Sequence, residues 1–170
     1  CLGCGIGDHF NINNLRYNRI IFLCDADPDG GHINLLLTTL FLHHLPELIT
    51  AGKVFAAVPP LYRTINGKEI KYWVPAQEKE YKKYMRNHKN AQAQRIKGLG
   101  EMNPDELYST TMDPANRTLI PLTTENMQAT LALYERLMGK QPSLRKEFIL
   151  KNKLSHIDDD DSFDDYEDDE

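Results

Sequence analysis

Asp25-Ala26-Asp27-Pro28-Asp29-Gly30 follows directly on Arg19-Ile20-Ile21-Phe22-Leu23-Cys24, so a run of apolar residues feeds into three acids at alternate positions and then two glycines. On an extended segment alternate residues point to one side. The pattern therefore predicts three carboxylates close together at the C-terminal end of a buried strand, where open α/β sheets place their sites. Clustered carboxylates raise each other's pKa unless a cation sits among them. Oxygen-only donors suit Mg²⁺, which is commonly held by one or two carboxylates and leaves the rest of its shell to water and phosphate.

Other chemistries share this opening. A solvated acidic turn explains many Asp-x-Asp strings. An EF-hand loop also begins Asp-x-Asp-x-Asp-Gly, but its twelfth position must be a bidentate Glu. Counted from Asp25, that position is Leu36. A haloacid-dehalogenase-type phosphatase begins with an acid pair after an apolar strand, with the first Asp as nucleophile and a Lys and further acids downstream. Spacing alone leaves that reading open.

A second stretch separates these readings. Residues 94–118 contain Lys97-Gly98-Leu99-Gly100-Glu101-Met102 and Thr110-Thr111-Met112-Asp113-Pro114. Together with the acid triplet, Leu15-Arg16-Tyr17 before the strand and Pro59-Pro60-Leu61-Tyr62-Arg63 after the helix, these strings resemble the B subunits of bacterial type IIA topoisomerases. That family comprises the B subunits of DNA gyrase and of topoisomerase IV. The likeness runs almost unbroken from about residue 2 to about residue 152, with the motifs in the family's order.

The resemblance implies a Rossmann-like α/β TOPRIM domain with a parallel sheet over 1–122 (its upstream part missing), a helical segment over 123–154 and an acidic, disordered tail over 155–170. It implies two Mg²⁺ ions, for which Mn²⁺ or Ca²⁺ can substitute in binding. Asp25 would touch both ions, Asp27 would hold the second, and Asp29 would support the cluster. His32, Lys97 and Arg117 match DNA-contacting positions. Each has a plainer alternative: a capping or packing histidine, a surface lysine, and an arginine paired with Asp113. Glu101 reads as structural, and Gly98 and Gly100 as serving backbone geometry.

The general acid–base Glu of the family lies in an upstream Glu-Gly-Asp-Ser-type motif that this sequence lacks, and the DNA-linked Tyr belongs to the A subunit. The ATP site belongs to a domain absent here. Gly3-x-Gly5-x-Gly7 is a weak match to any nucleotide motif. The implied enzyme is an ATP-hydrolysing DNA topoisomerase of two A and two B subunits. It acts on double-stranded DNA in the cytoplasm, at the nucleoid, with this chain alone inactive. The Lys68–Tyr72 hairpin and the compact Pro59–Arg63 segment lean toward topoisomerase IV over gyrase. Pro28 and Cys24, the latter where Thr is expected, depart from the pattern without removing a ligand. The rival from another class is a DNA- or partner-binding module without its own cleavage chemistry.

Composition agrees with this class. The 170 residues are 41% hydrophobic, enough for a core, and the longest apolar patch, Leu35 to Leu45, is broken by Thr38, Thr39, His43 and His44. That predicts no bilayer-spanning helix, and no secretion signal is expected. Three cysteines do not make a disulfide framework, and Cys1-x-x-Cys4 alone is a poor zinc site. The formal net charge is −5, yet residues 158–170 hold ten acids and no Lys or Arg. Without them 15 acids face 20 bases, a net charge of +5, which suits phosphate contact. The start at Cys1 is expected of a piece of a longer product.

The elements that must position these residues follow from pattern. Residues 19–24 read as a strand, Gly30-Gly31 as a tight turn, 32–50 as a helix with Pro46 opening a second turn, and 54–58 as the next, parallel strand. Residues 61–65 and 69–74 flank Asn66-Gly67, a type I′ hairpin signal. A polar helix over 77–88, a strand over 94–96, a helix over 104–110 begun by Pro104, a strand over 117–122 and helices over 125–138 and 142–152 complete the reading. Trp73 and the tyrosines at 62, 72, 81, 84, 108 and 134 read as core or rim.

Overall fold

The computed structural model describes residues 1–152; the acidic stretch expected to be disordered, 155–170, lies outside them. Chain packing separates two units, Cys1–Met127 and the residues from Gln128 onward.

The first unit is mixed α/β, with two three-stranded sheets. In the first sheet strand β1, Ile20–Phe22, lies parallel to β2, Val54–Ala57, with Ile21 opposite Phe55. The parallel pair matches the strand–helix–strand reading. The third strand, β6 at Leu119–Pro121, runs antiparallel to β2, so the sheet is mixed rather than all parallel. Pro121 is tolerated because β6 pairs on one side only, as an edge strand.

The crossover helix begins earlier than its sequence suggests. Helix α1 spans Pro28–His44, so Gly30 and Gly31 are helical rather than a turn. Pro28 occupies the first helical position, where its missing N–H is not needed and its fixed φ suits the helix. The helix stops at Leu45, bent to φ −142° in front of Pro46, and a short helix α2, Pro46–Thr50, follows. One helix over 32–50 is thus two, because the residue before a proline is pushed out of helical space. Gly52, at φ +65°, ends α2.

The core under this sheet is made by Phe22, Phe41, Leu42, Leu45, Leu48, Ile49 and Val54, all buried. The Phe22 and Phe41 rings meet edge to face at 5.1 Å. Leu48 and Val54 are fully enclosed, each contributing about 1.5–3 kcal/mol of transfer free energy.

The second sheet is a hairpin, β3 (Tyr62–Asn66) with β4 (Glu69–Trp73), flanked on the β3 side by β5, Gln92–Arg95. Asn66 pairs with Glu69, so the turn residues are Gly67 and Lys68. Gly67 has φ +62°, and no non-glycine residue among those described has positive φ. That is the signature of a II′ turn and not the I′ turn that Asn66-Gly67 suggests. Helix α3, Glu78–Asn87, packs an aromatic face on this hairpin. Tyr81 stacks on Tyr62 at 4.5 Å, Trp73 lies 5.2 Å from Tyr84, and Trp73 Nε1 donates to the buried Thr64 hydroxyl at 2.9 Å. Tyr108 departs from the core-or-rim reading: it is 57% exposed.

Helix α4, Pro104–Leu107, is one turn long and runs on into a π-helical turn at Tyr108–Met112. The second unit contains most of α5, Met127–Met138, and α6, Pro142–Asn152. Within it Arg136 reaches Glu147 at 3.4 Å and lies over the Phe148 ring. No helix among the described residues is long and apolar enough to cross a membrane.

Candidate functional site at the end of β1

The three acids are not one extended row. The chain leaves β1 at Phe22, and Asp27 is already the N-cap of α1. Its Oδ1 accepts the Gly30 N–H at 2.6 Å, satisfying one of the orphan donors of the first turn. Asp29 sits in that first turn and is exposed. The expectation of alternating side chains fails here because a helix, not a strand, begins at Pro28.

Asp25 and Asp27 line an open cleft of about 470 Å³, together with Cys24, Asn34, Pro59, Leu61 and Arg95. Asp29 and His32 are not in that lining. Gly30 is required where it stands: a Cβ there would lie 2.1 Å from the Asp25 carbonyl oxygen. The glycine therefore lets the first turn of α1 close against the backbone of Asp25. Burial, with the charge of Asp25 beside it, pushes the Cys24 thiol above its ordinary range.

The Lys97–Met102 segment comes to the same place. The Leu99 N–H donates to Asp25 Oδ1 at 2.8 Å. Gly98 is extended, at φ −148°, a conformation open to any residue, so backbone freedom is not what it supplies. A Cβ at Gly98 would stand 3.5 Å from Asp25 Oδ2, so the glycine keeps a side chain off that carboxylate. Gly100 has open space around it and no positive φ. Glu101 is structural, as read: its Oε2 accepts the Lys97 N–H at 3.1 Å and closes the loop on itself. Lys97 is exposed.

His32 is exposed in the second turn of α1, because the helix starts four residues earlier. Its own N–H is thus not among the free donors of the helix start. Arg117 is half-buried and its Nη1 donates to the Met112 carbonyl at 3.3 Å. The Asp113 carboxylate instead takes the Ala115 N–H and the Asn116 amide. Arg95 and Asn34 carry no signal in the sequence. Arg95 belongs to the exposed polar strand β5, and only the folding of that strand beside β3 brings it to the acid cleft.

Among the described residues no group of three or more His, Cys, Asp or Glu is gathered closely enough to hold an ion. Two carboxylates lining one cleft nevertheless have the oxygen chemistry of a Mg²⁺ site of the kind completed by water and phosphate.

Residues 88–150 match the family model described as DNA gyrase B subunit, carboxyl terminus. The chain is 48% identical to the B subunit of DNA gyrase from Thermotoga maritima over 154 residues, 90% of this chain and 24% of that protein. It is 43% identical to the corresponding gyrase subunit of Spiroplasma citri over 89% of this chain and 24% of that protein. It is also 42% identical to the B subunit of DNA topoisomerase 4 from Mycoplasma capricolum over 94% of this chain and 25% of that protein. The chain thus spans about a quarter of the length of the curated relatives it matches.

Proposed function

We propose that this chain, a homologue of the C-terminal part of type IIA topoisomerase B subunits, supplies the cation-holding and DNA-facing part of an enzyme that passes one duplex through a transient break in another. The observation that carries this reading is the meeting of its two strongest motifs, Asp25 with the Leu99 backbone, over a cleft that also takes in Asp27 and Arg95. Residues 1–122 would be the TOPRIM-like part, 123–154 a helical segment and 155–170 an acidic tail.

Asp25 and Asp27 would hold Mg²⁺, with Asp29 supporting them from the first turn of α1. When bound, such ions stabilise charge on the attacking and leaving oxygens of a phosphodiester. The chain's own residues orient and attract. The Leu99 amide fixes the Asp25 carboxylate, and Gly30 allows α1 to start against it. Arg95 in the cleft lining offers a cation to a DNA phosphate, as do the exposed Lys97 and the half-buried Arg117, and the exposed His32 offers a ring N–H. Guanidinium groups suit phosphate geometry. The body's surplus of bases over acids favours the same partner.

In the complete enzyme double-stranded DNA, an A subunit carrying the nucleophilic Tyr, and ATP bound elsewhere complete the reaction, in the cytoplasm. Gyrase and topoisomerase IV relatives match about equally well, so the subtype stays with the enzyme's wrapping behaviour. The alternative, a DNA- or partner-binding module without cleavage chemistry, draws on the fact that only two of the three acids line the cleft.

Asp25→Ala and Asp27→Ala, each in the full-length protein paired with its A subunit, test the reading. Loss of DNA relaxation with ATP hydrolysis retained supports it. Normal relaxation by either variant transfers the case to the binding-module alternative.

A further inference from the structure

Glu106 stands outside the cleft, yet it is the most heavily engaged acid among the described residues. Its Oε1 accepts from Arg63 Nη1 on β3 and from the Tyr72 hydroxyl on β4, the latter at 2.8 Å. Its Oε2 accepts the Asn103 N–H at 3.0 Å, while Asn103 Oδ1 accepts the Glu106 N–H at 2.9 Å. That reciprocal pair is a capping box at the start of α4. Arg63 reaches on to Gln94 Oε1 of β5. Strands β3 and β4 therefore meet on one carboxylate that holds the head of α4, and β5 is tied to it through Arg63.

The segment between that sheet and that helix is the loop that meets Asp25. It is fixed at its beginning by Ile96, which is buried and donates its N–H to the Leu61 carbonyl at 2.9 Å. At its end stand the buried Met102 and the capped Asn103. Between them the N–H of Glu101 donates to Gly98 and that of Met102 to Leu99, so the loop is a closed turn. A closed turn pinned at two ends has little freedom left, and moving the Asn103 end moves Leu99 with it.

We infer that Glu106, clamped by Arg63 and Tyr72, is a positioning residue that sets where the Leu99 amide and the Lys97 side chain stand relative to Asp25. The cluster acts through the capping box: sheet to Glu106, Glu106 to Asn103, Asn103 to the turn, and the turn to Asp25. The Glu106 carboxyl supports this by its titration. Burial opposes its charge, but hydrogen bonds from Tyr72, the Asn103 amide and Arg63 more than offset that and hold it below the ordinary Glu range. The inference deepens the proposed function, since it concerns the same cleft.

Hydrogen exchange of the full-length protein tests it, free of metal, DNA and nucleotide, so that the result stands apart from whether the cleft cuts DNA. Glu106→Gln keeps the size of the side chain and removes its charge. The peptide covering Leu99 is expected to exchange about tenfold faster, with peptides over β2 unchanged. In cleavage assays the same variant is expected to need about tenfold more Mg²⁺ for half-maximal cleavage at saturating DNA, a shift that a merely structural role would not give. Arg63→Lys is the second variant, retaining charge but not the forked contact, and is expected to act in the same direction. Unchanged exchange at Leu99 with an intact β2 would overturn the inference. So would loss of protection across β2 in both variants, because the cluster would then serve the fold as a whole and not the loop.

Discussion

The amide of Leu99 donates to the carboxylate of Asp25 at 2.8 Å, joining positions 74 apart in the chain. Asp25 lies beyond a strand paired in parallel within a mixed sheet, Leu99 in a turn leading out of an antiparallel sheet. A charged acceptor with a backbone donor is one of the stronger hydrogen bonds available to a protein. It fixes one oxygen of Asp25, and the lack of a side chain at Gly98, where a Cβ would stand 3.5 Å from Oδ2, keeps the other unobstructed from that side.

Gly30 and Gly31 are neighbours with opposite requirements. A Cβ on Gly30 would lie 2.1 Å from the Asp25 carbonyl oxygen, whereas one on Gly31 meets nothing within 4 Å. Gly30→Ala is expected to destabilise by at least about 1–3 kcal/mol, the usual cost of forcing atoms into a filled site. Gly31→Ala is expected to stabilise by up to about 1 kcal/mol through helix propensity. Urea denaturation of the two variants side by side reads the difference.

Tyr72 sets an alkaline limit. Burial first, then its hydrogen bond to the Glu106 carboxylate, pushes its hydroxyl from an ordinary 10.0 up to about 12. The folded state thus prefers the neutral phenol. Its contribution is complete below pH 10 and is lost as pH rises from about 10 through about 12. Tyr72→Phe removes this limb, and thermal melts across that pH range are expected to flatten accordingly.

Glu106 gives the opposite slope. Its carboxyl is held below the ordinary 4.5. The stability it contributes is therefore present above the ordinary Glu range and falls away as the solution is acidified through the lowered value. Glu106→Gln is expected to melt at a temperature less dependent on pH below that range than the unaltered protein does.

Asn103→Ala tests the capping box apart from the charge cluster. Loss of an N-cap side chain costs about 1 kcal/mol. The expected outcome is a small loss in global stability with a larger, local rise in exchange over 97–103, read by hydrogen exchange.

Much of this organisation is legible in the sequence. The parallel pair of strands, the hairpin, the polar helix α3 and the acid and glycine motifs all follow from local pattern. What misleads is proline and pairing. Pro28 looks like a stiffener within an acid row but is the first residue of α1, which turns Asp27 into a cap and carries Asp29 out of the cleft lining. Asn66-Gly67 looks like the turn itself, yet β3 extends through Asn66 and the turn moves on to Gly67-Lys68. Arg95 carries no local signal, and Asn103-x-x-Glu106 signals only the cap of a helix. Arg95 reaches the acids only because β5 pairs with β3, and Glu106 matters through partners 43 and 34 positions away, Arg63 and Tyr72. Local periodicity does not encode contacts of that range.

The central claim is that Asp25 and Asp27 form the cation site of this chain. Mn²⁺, a paramagnetic ion that accepts the same carboxylate and water ligands as Mg²⁺, tests it directly when titrated into the isotope-labelled chain and followed by the broadening of amide resonances. The account expects the amides of residues 24–31 and 97–100 to broaden first, and this selectivity to vanish in Asp25→Asn/Asp27→Asn. Broadening confined to the acid-rich residues 158–170, with 24–31 untouched at the same Mn²⁺ concentration, would contradict it.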